Sequence, residues 1–367
     1  MRWMFFMPVA IALVVSLILG PIVIPLLRKM KFGQTEREDG VQSHLKKAGT
    51  PTMGGIIILG GIVFASLFYV KDYPRILPIL FVTLGFGFIG FLDDYLKVVK
   101  KHPDGLLPKQ KMALQLIVTA AFAFYLVKYS QVALTMFVPF SGGYQLNVGW
   151  LAIPILFIAT IGTVNGTNFT DGLDGLASSV TVVVAIFFRL ASMDMQSGIE
   201  PIIGATIGAL AGFLFFNSHP ASVFMGDTGS LVLGIFLAAT AIYFSNSVEV
   251  ANLFFISPPV MMLSLFIVPV TDTLRVFFIR VRDNRSPFSP DMNHFHHLLI
   301  RSGMTHVQGT CFLIAYTMLF MLLAYLFSYL KMEITISFFL ILALSFVAIF
   351  SIAAISNRKS NKGEGTQ

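Results

Sequence analysis

Long apolar blocks without a single charge constrain this chain more than any other feature. Trp3–Leu27, Met53–Val70, Ile76–Leu92 and Thr228–Val248 contain no Asp, Glu, Lys or Arg. Each is close to or above the ~18 residues that suggest a spanning helix. One such block could be a buried core helix, but ten or more in one chain could not. Eleven segments are long and apolar enough, approximately 3–27, 53–70, 76–92, 112–129, 148–165, 176–194, 201–216, 229–247, 251–273, 309–330 and 334–356; eight are free of charge, and the other three hold only Lys128, Arg189 with Asp194, and Asp272. Only 12% of residues are charged, against roughly 25% in soluble domains. The pattern predicts an all-α, polytopic integral membrane protein with about 10–11 transmembrane helices. It forms a single catalytic domain over 1–356 and ends in a polar, disordered tail over 357–367. The first block has little basic head and no clear cleavage site, so it reads as a retained helix. Cys311, the only cysteine, excludes an intrachain disulfide and a cysteine metal cluster. It lies in an apolar block and reads as a small buried hydrophobe.

The placement of the charges gives the orientation. The connections 28–52, 93–111, 166–175, 217–228, 274–308 and the tail carry 19 of the 25 Lys and Arg. The positive-inside rule makes that set cytoplasmic and the N-terminus external. The net charge of +7 is then a collar flanking the membrane, suited to anionic lipid heads and phosphorylated substrates and not to nucleic acid. All seven histidines fall in the same set, together with Asp93, Asp94, Asp171, Asp174 and Asp227. Topology does not require these residues to be inside, so their segregation predicts a cytoplasmic-face active site. On the opposite side, PFSGGYQLN within 130–147 reads as a turn or small hairpin.

Four segments carry the chemistry. In GFIGFLDDYLKVVKK, Asp93 and Asp94 close the third span, where carboxylates oppose the helix dipole and need a partner. Lys97, one turn on, could supply it, as could Lys109 and Lys111 after a Pro-Asp-Gly turn; a hydrated, ion-paired boundary is the plainer alternative. VNGTNFTDGLDGLASS places Asn165, Asn168, Asp171 and Asp174 among small residues. If helical, Asp171 and Asp174 share a face. In FNSHPASVFMGDTGSLVLG, Asp227 has N-cap chemistry for the eighth span and is also open to a metal. The connection 274–308 combines Arg275, Arg280, Arg282 and Arg285 with His294, His296 and His297, a set suited to facing a pyrophosphate. Several Asp and no Cys favour a hard cation, Mg²⁺ or Mn²⁺. A secondary transporter, the competing class, would hold its acids near the bilayer midplane; only Asp272, beside Pro269, suits that, and it also reads as the end of a broken ninth span.

KKAGTPTMGG (46–55), preceded by GQTEREDGVQSHL, resembles the first cytoplasmic loop of the phospho-N-acetylmuramoyl-pentapeptide transferases. FLDDYLKVVKK, NFTDGLDGLA and FMGDTGSL resemble the acidic motifs of the wider polyprenyl-phosphate N-acetylhexosamine-1-phosphate transferase superfamily. The matches run from about residue 33 to 297. The resemblance implies a bacterial plasma-membrane enzyme, Mg²⁺-dependent, that joins phospho-N-acetylmuramoyl-pentapeptide from its UDP donor to undecaprenyl phosphate. It implies Asp227 as metal ligand with Asp171, Asp93 acting on the lipid phosphate with Asp94 beside it, and Asn168, Asp171 and Asp174 lining the nucleotide and metal site. Lys97 and Lys111 would contact phosphate, and His294, His296 and His297 would line the pyrophosphate pocket. Direct attack and a covalent carboxylate intermediate both stay open, as does a homodimer. The segment His294-Phe295-His296-His297 departs from three consecutive histidines. It resembles the branch that uses UDP-N-acetylglucosamine, as do eleven spans, so that donor is the alternative.

Overall fold

A computed structural model describes residues 3–30, 49–100, 105–129, 135–137, 140–141, 145–147, 149–191, 198–245, 258–285 and 294–364. The expected stretch GQTEREDGVQSHLKKA, most of the Pro-Asp-Gly turn and the Pro-Asp turn before His294 lie outside these residues.

Each of the eleven apolar segments contains a helix. In chain order these are α1 (Trp3–Lys29), α2 (Gly55–Leu67), α3 (Ile76–Val98), α4 (Pro108–Tyr129), α5 (Ala152–Thr170), α6 (Leu176–Ala191), α7 (Glu200–Asn217), α8 (Gly226–Ser245), α9 (Pro258–Leu265), α10 (Ile267–Arg282), α11 (Phe295–Arg301), α12 (His306–Tyr329) and α13 (Ile334–Glu364). Among the described residues, eight helices are long and apolar enough to cross a membrane alone. α2 and α6 are apolar but shorter, and α9 and α10 form one apolar path bent by 79°. The protein is thus an all-α polytopic membrane protein. The bend falls at Phe266, so Asp272 sits inside the second half of the broken ninth span and not at its end. Outside the helices, Thr135–Phe137 pairs antiparallel with Gln145–Asn147, with Thr135 opposite Asn147. This is the small hairpin expected there.

Two expectations are corrected. The helix of the last span continues through the polar tail to Glu364 instead of giving way to disorder. Residues 357–362 contain no Gly or Pro to end a helix. Cys311 is exposed on α12 and not buried. In a bilayer an outward apolar face meets acyl chains, so an apolar block does not imply burial in protein.

Packing in lipid relies on close approach at small residues, and that approach is what positions the functional groups. α8 is central, packed against α2, α3, α5 and α6. A Cβ on Gly90 of α3 would strike the Asp227 carbonyl, and one on Gly55 of α2 would strike the Gly229 backbone. The start of α8 therefore lies directly on α2 and α3. The residues before α2 pair with those before α8: Gly54 and Gly55 donate to the carbonyls of Phe224 (2.8 Å) and Met225 (2.9 Å), and Phe224 donates to that of Pro51 (2.8 Å). Two motifs far apart in sequence thus form one backbone layer beneath the helix ends.

Candidate active site

The C-terminal ends of α3 and α5 and the N-terminal ends of α4 and α8 meet at one end of the bundle. Lys97 Nζ lies 2.8 Å from Asp93 Oδ2 and 3.1 Å from Asp227 Oδ2. Lys111 Nζ lies 3.3 Å and 2.7 Å from the same two atoms. Two carboxylates and two ammonium groups form a closed, formally neutral four-centre cluster. Asn168 extends it, donating from Nδ2 to Asp227 Oδ1 (2.9 Å) and to Ser230 Oγ (2.7 Å). The Leu106 N–H donates to Asp93 Oδ1 (2.7 Å), tying the α3–α4 connection to the same carboxylate. There is no room for a side chain at residue 105, because a Cβ on Gly105 would strike Asp93 Oδ1.

Asp93 and Asp94 are adjacent and both buried, yet they face different partners. Asp94 accepts from the N–H of Asp227 (3.1 Å), the N–H of Thr228 (2.9 Å) and the Thr228 hydroxyl (2.7 Å). It caps α8 from another helix. The N-cap chemistry expected of Asp227 is therefore supplied by Asp94. Asp227 sits within the first turn of α8, and its side chain is free to face the lysines. Two consecutive residues on α3 point about 100° apart, which divides the pair.

Residues 171–175 form a turn and not a helix, because α5 ends at Thr170 and Gly175 takes φ +73°. Asp171 and Asp174 therefore share no helical face. Asp171 follows directly on α5, its N–H donating to the Asn168 carbonyl (3.3 Å). Asp174 accepts from the Ala221 N–H (3.3 Å) and lies 2.7 Å from His219 Nδ1. A Cβ on Gly172 would overlap the His296 ring, so the histidine segment packs onto this turn. There the His294 ring is parallel to that of His296 and stacks on Phe169, and the His296 and His297 rings lie 4.1 Å apart.

For a metal, Asp93 and Asp227 offer carboxylate oxygens already arranged around positive charge, with no sulfur in the set. That donor chemistry fits a hard divalent cation. The two ammonium groups carry between these oxygens the charge such a cation would bring.

The pattern of glycosyl transferase family 4 matches residues 76–245, which takes in Asp93, Asp94, Lys97, Lys111, Asn168 and Asp227. Signature 1 of the phospho-N-acetylmuramoyl-pentapeptide-transferases matches residues 47–59. A phospho-N-acetylmuramoyl-pentapeptide-transferase of Caldicellulosiruptor bescii is 37% identical over 86% of this chain and 95% of its own length. Those of Acetivibrio thermocellus and Clostridioides difficile are each 48% identical, over 62% and 65% of this chain and 69% and 74% of theirs. The chain belongs to the phospho-N-acetylmuramoyl-pentapeptide-transferase family.

In this membrane transferase the signature segment lies against the start of α8. Thr52 Oγ1, within signature 1, lies against Gly226 beside Asp94, where a Cβ would clash with both. Asp272 has a more definite part here than its sequence position suggested. Its carboxylate lies 3.0 Å from His294 Nδ1 and accepts the Phe295 N–H (2.8 Å). It fixes the first histidine and caps α11 together. The signal was present as a buried acid in an apolar helix, but the partner lies 22 residues away. Gln115, Ser230 and Thr228 had no such signal. Gln115 Oε1 accepts from Asn165 (3.0 Å), linking α4 to α5.

Proposed function

We propose that the protein transfers phospho-N-acetylmuramoyl-pentapeptide from its UDP donor to undecaprenyl phosphate, giving lipid I and UMP, at the cytoplasmic face of the bacterial plasma membrane. The observation that carries the reading is the four-centre cluster of Asp93, Asp227, Lys97 and Lys111 at the ends of spanning helices. A diphosphate entering there meets two ammonium groups, and a lipid phosphate at the membrane boundary reaches the same place. The one-sided Lys and Arg support the cytoplasmic assignment.

In the reaction an oxygen of the lipid phosphate forms a bond to the β-phosphorus bearing the sugar. The bond from that phosphorus to the UMP oxygen breaks, and its electron pair leaves with UMP. A phosphate monoester has its second pKa near 6, so the acceptor arrives largely dianionic. Asp93 orients it and takes up the residual proton. Lys97 and Lys111 neutralise charge spreading onto the phosphoryl oxygens and the leaving UMP. Asn168 holds Asp227 in place, and His294, His296 and His297, braced by Asp272, line the diphosphate side. Asp227 would hold Mg²⁺ (or Mn²⁺), with Asp93 facing it across the same two lysines and Asp171 as the further carboxylate that the resemblance implies; when bound, the ion supplies Lewis-acid neutralisation of the diphosphate.

The test is a purified-protein assay with undecaprenyl phosphate and each nucleotide sugar in turn. Lipid-linked product is expected from UDP-N-acetylmuramoyl-pentapeptide. Product from UDP-N-acetylglucosamine alone would overturn the donor assignment and leave the chemistry standing.

A further inference from the structure

A second cluster of ligand-type side chains lies apart from the four-centre cluster in the bonds it makes. Asp174, His219 and His306 come from the 171–175 turn, the α7–α8 connection and the first residue of α12, and each brings one ligand atom within 4.8 Å of the others. Asp174 is buried, His306 is half-buried and His219 is exposed, so the cluster has a fixed floor and an open side. The two imidazole rings stack at 5.1 Å and 20°.

The scaffold under these three residues is tied together. Asn217 accepts the Gly175 N–H (3.1 Å) and donates to the Val223 carbonyl (2.9 Å), clamping the turn to the α7–α8 connection. Thr310 donates to the Asp174 carbonyl (3.5 Å), and Gly309 packs closely on Leu173, clamping the turn to α12. His306 is placed by a complete capping box between Thr305 and Gln308. The ligand atoms are therefore held by three elements whose backbones are fixed to one another, as a preformed metal site needs.

We infer that Asp174, which the resemblance places in the nucleotide lining, also forms with His219 and His306 a binding site for a zinc-class transition metal, at a position separate from the magnesium proposed at Asp227. Two imidazoles and one carboxylate select such ions over Mg²⁺, which prefers oxygen alone. Metal–ligand bonds of about 2.0–2.2 Å need ligand atoms somewhat over 3 Å apart. Side-chain rotation can reach this from the present spacing, with Asp174 and His219 moving slightly apart from 2.7 Å. Three protein ligands leave the solvent side open for water. A bound ion would lock the turn that carries Asp171 against α12.

The test uses full-length protein in detergent, carrying an affinity tag without histidine, stripped of metal and kept in millimolar Mg²⁺. Zn²⁺ binding is read by calorimetry and Co²⁺ binding by its visible absorption. One equivalent is expected to bind despite the Mg²⁺. Affinity should fall at least tenfold in both His306→Ala and His219→Ala, and should persist in Asp227→Asn and His297→Ala. His306→Gln, which keeps a polar side chain, covers the case in which His306→Ala does not fold. No binding, binding unchanged in folded His306 and His219 variants, or loss in His297→Ala or Asp227→Asn instead would each overturn the inference. None of these readouts depends on the transferase reaction.

Discussion

Replacing Asp94 tests whether two adjacent aspartates do two different jobs. The hydrogen bonds favour a positioning role for Asp94: its carboxylate receives two backbone N–H groups and one hydroxyl at the start of α8. Asp94→Asn keeps one acceptor oxygen but loses the charge. A charge at a partly buried helix N-terminus is worth up to about 2 kcal/mol, and a hydrogen bond to a charged group about 1.5–3 kcal/mol. The effects overlap, so a net loss of roughly 2–3 kcal/mol is expected. Asp94→Ala strands all three donors, at roughly 1–3 kcal/mol each when unpaired and buried. With partial relaxation the loss is about 3–5 kcal/mol. At roughly 2–4 °C per kcal/mol for a large domain, Asp94→Asn should unfold several degrees lower and Asp94→Ala lower still. Thermal unfolding of the detergent-purified variants at one fixed scan rate measures this, beside UMP release at a temperature where all are folded. Asp93→Asn is the counterpart: it too should unfold somewhat lower, because Lys97 and Lys111 lose one of their two carboxylates, but its UMP release should fall by about a hundredfold or more at a temperature where it is folded. An Asp94→Asn protein that unfolds at the unsubstituted temperature yet has lost activity to the same degree would refute the division of labour.

Three other perturbations follow from the same geometry. Asp227→Ala removes the carboxylate that both lysines and Asn168 address, and UMP release should fall to background; persistent release in that variant would remove Asp227 from the reaction. Asp272→Asn should leave the fold intact but free the His294 ring, lowering kcat about tenfold or more with little change in KM for the lipid, as steady-state kinetics would show. Gly90→Val drives side-chain atoms into the Asp227 carbonyl; overpacking costs about 1–3 kcal/mol, so both the unfolding temperature and activity should drop, whereas Gly162→Ala, where a Cβ meets nothing, should change neither.

The helices were legible because membrane-spanning segments announce themselves by the absence of charge over a fixed length. The one-sided acids and histidines were legible for a related reason, since nothing in topology requires them there. Pairing was not. Asp227 reads locally as an N-cap, but the acid that caps α8 arrives from α3, 133 positions earlier. Lys97 and Lys111 could be nominated as phosphate ligands, but nothing local shows that each bridges Asp93 and Asp227. Asp171 and Asp174 have helical spacing, and the positive φ of Gly175 cancels it. Cys311 shows a different limit: hydropathy says that a side chain avoids water and is silent on whether protein or lipid receives it.

The self-neutralised cluster implies that metal and donor binding are coupled. The Asp227 oxygen that a cation would need is held by Lys111 at 2.7 Å and Lys97 at 3.1 Å. The cation must compete with two ammonium groups. A donor diphosphate gives those groups another partner and releases the carboxylate, so each ligand should tighten the other by the same factor. Lys111→Met removes one competitor. In that variant Mg²⁺ should bind more tightly than in the unsubstituted protein when no donor is present, by about tenfold for a loss of about 1.4 kcal/mol of competition. Donor binding should weaken at the same time. Calorimetric titration of Mg²⁺ with and without a non-reacting UDP ligand separates the two effects. Weaker Mg²⁺ binding by Lys111→Met in the donor-free protein would mean that the lysine supports the cation instead of standing in for it, and the coupling would have the opposite sign.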